Sequence, residues 1–86
     1  MDTTSNKFNI SIEYCVPCDY SDYAIKETTS LIKNFQHNIN QLALITGSKG
    51  VFDIKVDDEI IFSKTVLNRY PNTGELVDLI KEKKGL

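Results

Sequence analysis

Two cysteines, Cys15 and Cys18, are the entire thiol content of this 86-residue chain, with only Val16 and Pro17 between them. A pair so spaced can close on itself as a disulfide or offer two soft thiolates to a metal. It can also bury two small apolar side chains side by side. Disulfide exchange needs a thiolate, and an ordinary thiol, with a pKa of about 8.5, is only a few per cent ionised at neutral pH. At a helix N-terminus, unpaired N–H groups favour the anion and bring such thiols to about 7. The two intervening residues let Cys18 reach back to Cys15, and Pro17 stiffens the turn. By position, Cys15 is expected to be the more exposed, attacking thiol and Cys18 the resolving one.

The neighbours modulate that chemistry. Glu13, Asp19 and Asp22 oppose it, because nearby acids disfavour a thiolate. Arg69 is the expected compensating cation if its loop folds over the thiols, and it could equally bind a carboxylate of a substrate. Tyr14, Tyr20 and Tyr70 are candidates to line a shallow groove, although Tyr20 and Tyr23 are spaced for ordinary helix packing. Val16, Pro17 and Ser48 complete the expected substrate-contacting set. The sole histidine, His37, falls near the end of a predicted helix, away from the cysteines, so no Cys–His–acid arrangement suggests itself. Zinc would need two further ligands, and there is no third cysteine to supply one.

The elements that must position these residues follow from periodicity. Phe8 to Tyr14 alternates apolar and polar residues, which predicts a half-buried strand ending at Cys15. Pro17 suits a helix entry, and Tyr20, Tyr23, Ala24, Leu31, Ile32 and Phe35 predict a helix from Cys18 to about Phe35. A second strand is expected over Ile39 to Thr46, broken by Gly47-Ser48-Lys49-Gly50. Val51 to Val56 and Glu59 to Lys64 then form a hairpin about Asp57-Asp58. Asn72 and Glu75 have capping-box spacing before a last helix that buries Leu76, Val77, Leu79 and Ile80. Two strands flanking a helix should be parallel with a right-handed crossover. If the third strand pairs antiparallel with the first, the Cys15 loop, the Gly47 loop and the loop after Lys64 meet at one sheet edge, where open sheets bind ligands.

Composition narrows the classes. The chain is 41% hydrophobic and 26% charged, with a formal net charge of −2. That is ordinary for one small domain, expected over residues 8–86 after a loose tail at 1–7. The balance argues against nucleic acid as a partner, and Lys81, Lys83 and Lys84 read as a solvated helix face. No apolar run approaches the ~20 residues of a membrane span, and the first residues lack the apolar stretch of a secretory signal. A cytoplasmic setting is expected, where a Cys-x-x-Cys is catalytic or metal-binding rather than a structural staple.

The order strand, helix, strand, strand, strand, helix resembles a reduced thioredoxin-like α/β fold, with a four-stranded mixed sheet and two helices. Four segments narrow the likeness: the strand–Cys-Val-Pro-Cys–helix unit, Gly47-Ser48-Lys49-Gly50-Val51-Phe52-Asp53-Ile54, Ile61-Phe62-Ser63-Lys64 and Arg69-Tyr70-Pro71. Together they resemble the selenoprotein W-like (Rdx) family. The resemblance implies thiol redox chemistry at Cys15 and Cys18, exchange with protein thiols or disulfides, and glutathione as a reductant for some members. No bound cofactor is expected. Selenium-containing members carry selenocysteine where this chain has Cys18. The proline that full thioredoxins place beside the redox pair has no counterpart in Gly47 to Gly50. Two other classes stay open. Cu(I) carriers share the motif but end on a strand, and a protein-interaction module could use the thiols to modulate contact through Tyr14, Val16 and Tyr70.

Overall fold

The computed structural model describes residues 7–86, so the tail expected over 1–7 lies, apart from Lys7, outside the described residues. The strands are β1 (Phe8–Cys15), β2 (Ile39–Gly47), β3 (Phe52–Val56) and β4 (Glu59–Ser63). The helices are α1 (Ser21–Phe35), α2 (Lys64–Leu67) and α3 (Glu75–Lys84). The sheet runs β2-β1-β3-β4. β1 is parallel to β2 and antiparallel to β3, which is antiparallel to β4, so the sheet is mixed as expected. This is the thioredoxin-like α/β architecture.

Alternation places the core. Ile10 and Ile12 on β1, with Phe52, Ile54 and Val56 on β3, share one face and are 2% exposed or less. Helices α1 and α3 cover that face through Ala24, Leu31, Leu76 and Ile80. Each such aliphatic side chain contributes about 1.5–3 kcal/mol by leaving water. The opposite face carries Asn9, Ser11, Glu13, Asp53 and Lys55, all exposed or half-buried. The sheet is thus apolar on one side and polar on the other.

Three local expectations change. The first helix starts at Ser21, not at Cys18, because Val16 to Asp19 forms a separate turn in which the Asp19 N–H donates to the Val16 carbonyl at 2.9 Å. Pro17 occupies the second position of that turn, which its fixed φ favours. Asp19 then sits at φ 62°, a left-handed conformation that a short polar side chain tolerates and a helix does not. Secondly, the last strand ends at Ser63 and Lys64 opens a third helix, a single turn closed by Asn68 in the left-handed region. Thirdly, the Asn72 side chain makes no cap. Only the return half of the capping box forms, with Glu75 accepting the Asn72 N–H at 2.9 Å.

The lysines of α3 are also more than a solvated face. Lys83 pairs with Glu59 and Lys84 with Asp57, clamping the helix end onto the β3–β4 hairpin. Asp57 additionally accepts the Asn9 N–H at 3.0 Å, and this bond, followed by Lys84, holds its carboxyl below the usual range.

Candidate functional site

Cys15 ends β1, and its main chain is fixed from both sides. Its N–H donates to the Val51 carbonyl at 2.9 Å, and the next N–H, of Val16, donates to the Gly47 carbonyl at 3.0 Å. The loops of residues 15–20 and 47–51 therefore hold each other, and the cysteines sit at the carboxyl end of the parallel strands. A disulfide joins Cys15 to Cys18, with Cα atoms 5.3 Å apart. The Tyr20 N–H donates back to the Cys15 carbonyl at 3.2 Å and closes the loop.

The two sulfurs differ in access. Cys15 is 0% exposed, whereas Cys18 lies on the exposed turn with Pro17, beside Val16 at 47%. This inverts the expectation that Cys15 is the exposed, attacking thiol. The cause is the separate turn. With the chain leaving the sheet through Val16–Asp19, the first cysteine remains a strand residue and the second is lifted into solvent. Helix α1 begins three residues beyond Cys18, so its N–H groups are not adjacent to the thiol as the sequence suggested.

Gly47 makes the junction possible. It is Cys15's partner in the β1–β2 ladder, and a Cβ there would lie 2.7 Å from Val51 Cγ1 and 2.9 Å from Glu13 Oε2. Gly47→Ala is expected to cost about 1–3 kcal/mol through this overpacking. A urea-unfolding midpoint checks it.

The other expected site residues separate into groups. Tyr14 is half-buried against the core. Ser48 is exposed in the loop that Gly47 anchors, where Lys49 and Gly50 adopt φ 60° and 78° and the Val51 N–H donates to the Ser48 carbonyl at 3.3 Å. Tyr70 joins an aromatic cluster. Its ring stacks on Tyr23 at 3.7 Å, and it meets Tyr20 and Phe52 edge-on at 5.4 and 5.8 Å. Lys64 Nζ lies 5.4 Å from the Tyr20 ring and 5.0 Å from the Tyr70 ring. The neighbouring Tyr70 hydroxyl, followed by Lys64, makes the Tyr20 phenol more acidic than usual. Burial, followed by the Tyr20 hydroxyl, pushes Tyr70 up to about 12.

Arg69 does not reach the thiols. Its guanidinium forks onto Glu75, at 2.7 and 2.8 Å, and packs over the Phe62 ring. Arg69, with the Asn72 N–H, holds the Glu75 carboxyl down at about 2. The folded value lies below the ordinary 4.5, so the unfolded chain binds the extra proton between them. The stability from this group is complete above about pH 5 and is lost as pH falls toward 2. Glu75→Gln is expected to be less stable than the parent at pH 7 and equal to it near pH 2, read from urea midpoints at the two pH values.

Sequence reasoning missed Lys64 and Asp53. Lys64 was assigned to a strand end, so its place over the tyrosines carried no signal. Asp53 reads as an ordinary outward strand residue. The structure pairs it directly across from Glu13, and its Oδ1 is buried without a hydrogen-bond partner. Among the described residues, no group of three or more His, Cys, Asp or Glu is placed to hold a metal ion. No helix among them is long and apolar enough to cross a membrane.

Comparison with known proteins adds relatives to this geometry. The model of the Rdx family matches residues 9–82. Migration and invasion enhancer 1 of Bos taurus is 28% identical over 72 residues, covering 84% of this chain and 61% of that protein. The chain thus spans about three-fifths of the length of this curated relative. Among solved structures, a selenoprotein W-related protein of Vibrio cholerae superposes with a TM-score of 0.87 at 23% identity, covering 92% of this chain and 99% of the other. A protein of Bordetella parapertussis gives 0.85 at 23% identity, covering 90% and 98%. At that identity the likeness is one of fold.

Proposed function

This chain belongs to the Rdx family, and from that premise we propose that it performs thiol–disulfide exchange, cycling Cys15 and Cys18 between dithiol and disulfide. The observation that carries the reading is the pairing of one accessible sulfur with one buried sulfur in bonding range. That division of labour suits exchange, because access decides which sulfur attacks first. Cys18 thiolate attacks a substrate disulfide, forming a mixed disulfide and expelling one thiolate. Cys15 then attacks Cys18, the second thiolate leaves, and two electrons have passed from the protein to the substrate. Two equivalents of an external thiol, glutathione by proposal, return the pair to the dithiol in the reverse sequence and leave as their own disulfide.

The substrates proposed are protein disulfides or thiols in a reducing, cytoplasmic setting. Val16, Pro17 and Ser48 supply an exposed rim, and the Tyr23–Tyr70 stack offers a flat apolar surface. Arg69, committed to Glu75, is left out of the binding set. The test is stoichiometric. Reduced protein mixed with a chromogenic aryl disulfide should release two thiols per chain and end two hydrogens lighter. Release of one thiol with a stable adduct, or of none, contradicts the exchange reading.

A further inference from the structure

The sheet has two edges, β2 and β4, and they are built differently. Edge β4 is five residues long, carries Glu59 and runs straight into Lys64 of α2, and a bulge interrupts its pairing with β3. Short length, charge and bulges all discourage a further strand. Edge β2 is nine residues long and holds no charged residue and no proline. Among the described residues it pairs with β1 alone, regularly beyond one irregularity at Phe8–Asn9. The Gly47 carbonyl accepts from the Val16 N–H and so points inward to β1. Alternation then turns the main-chain N–H and C=O groups of Leu42, Leu44 and Thr46 outward, where no described strand meets them.

The flank above this edge is apolar as well. Leu42 and Leu44 share the core face with Ile10 and Ile12, their ladder neighbours. Helix α1 lies over β1 and β2 and packs against α3. Its Tyr23 stacks on Tyr70 and its Glu27 feels the Glu75 charge, so that side of the helix looks toward α3. At about 100° per residue, Ile25 and Ile32 fall on the other side, above β2. Ile25, Ile32, Leu44 and Ile45 are each 44–56% exposed. A long, uncharged edge flanked by such a patch is a template for another strand.

We infer that a second copy of this chain occupies the edge, β2 pairing antiparallel with β2 about a two-fold axis at Ala43. The strand is self-complementary there. The axis sets Leu42 of one copy opposite Leu44 of the other, so outward main-chain groups meet outward groups. Both leucine pairs then lie on the core face, beside Ile25 and Ile32 of two antiparallel α1 helices. Asp22 and Lys33 stand at opposite ends of α1, and the axis brings each acid end beside the other copy's basic end. The area suffices. Nine residues of β2 extend about 30 Å, and sheet plus helix is roughly 20 Å deep. The two copies together cover about 1,200 Å², the lower end for a stable interface. Gly47 falls opposite Ile39 of the second copy, so the two thiol loops lie at opposite ends and both stay open. The inference does not depend on the exchange reading.

The mass of the full chain in reducing buffer, measured by light scattering after gel filtration, is expected to be twice the 9.8 kDa of one chain. Leu44→Lys charges the edge and Ile32→Lys charges the flank, and each should halve that mass. Both side chains are already about half exposed, so the unfolding midpoint, measured alongside, should stay near the parent's. A crosslink tests the register without disturbing the leucines. In a Cys15→Ser, Cys18→Ser background, Ala43→Cys sets two thiols directly opposite, with Cα atoms about 4.5 Å apart, which is within disulfide range. Mild oxidation should link the copies, as read by non-reducing electrophoresis. Ile45→Cys in the same background should not link, because its counterpart lies four residues away along the strand, about 13 Å. A parent that runs at the mass of one chain overturns the inference, whether residues 1–6 or a strand of another protein then takes the edge. A dimer that keeps its mass in both lysine variants, fails to link at 43, or links equally at 43 and 45 also overturns it.

Discussion

Cys15→Ser is expected to stall the protein as a mixed disulfide, and Cys18→Ser to leave it without a reactive thiol. Both abolish turnover, but at different steps. In Cys15→Ser the exposed Cys18 remains free to attack, one thiol is released per chain, and the adduct persists because nothing resolves it. In Cys18→Ser the remaining sulfur is the one with no exposed surface, so alkylation and attack both fall to the rate of local opening. The order is opposite to the one that position in the motif suggests. It follows from the turn at Val16–Asp19, which keeps the first cysteine in the sheet. Intact-mass spectrometry after a pulse of disulfide reads both outcomes. An adduct that accumulates on Cys15 in Cys18→Ser, with none in Cys15→Ser, would restore the sequence-based assignment. A buried serine hydroxyl left unpaired costs about 1–3 kcal/mol, so each variant's unfolding midpoint is measured alongside.

Phe52→Ala should be the most damaging change outside the thiols, at about 3–5 kcal/mol. Phe52 has no exposed surface. It pairs across the ladder with Tyr14, and Tyr20 and Tyr70 pack against its ring edge-on. Truncation therefore opens a cavity between the sheet and the aromatic cluster, not a gap that one side chain can fill. A domain of this size is stable by only about 4–13 kcal/mol, so the loss takes a large share of the total. Urea unfolding should show a lower midpoint with an unchanged slope. Phe52→Leu, which keeps most of the volume, should cost less than about 1.5 kcal/mol. Equal midpoints for the alanine variant and the parent would mean that the cluster does not bear on the core.

The parts of this architecture legible in the sequence were those with a strong period. The alternation in Phe8–Tyr14 and Val51–Val56 located β1 and β3 within a residue, and Asp57-Asp58 did form the hairpin turn, both at positive φ. The parallel β1–β2 pair and the β3–β4 hairpin were expected from the element order, and the antiparallel β1–β3 pairing that joins them is supplied by the structure. What failed was shorter than a period. The turn at Val16–Asp19 and the one-turn helix Lys64–Leu67 each depend on a residue in the left-handed region, Asp19 and Asn68. Neither residue type demands that conformation. Cross-strand facts were equally hidden. The opposition of Glu13 to Asp53 exists only once the register is fixed, and the stack of Tyr23 on Tyr70 joins residues 47 positions apart. Arg69 was placed near the thiols by its loop, and the Glu75 carboxylate competes for it more effectively.

The most direct test of the central claim is an equilibrium redox titration of the full chain in glutathione and dithiothreitol buffers. The poised samples are quenched by alkylation, and Cys15 and Cys18 are quantified separately by mass spectrometry. One reversible two-electron transition, with both cysteines changing together, is the expected result. In the dithiol form Cys18 should be alkylated before Cys15. Cycling proteins of this chemistry span roughly −270 to −120 mV, and a midpoint in that span fits the proposed role. If no intramolecular disulfide forms at any poise, or the two cysteines titrate independently, the exchange account is contradicted.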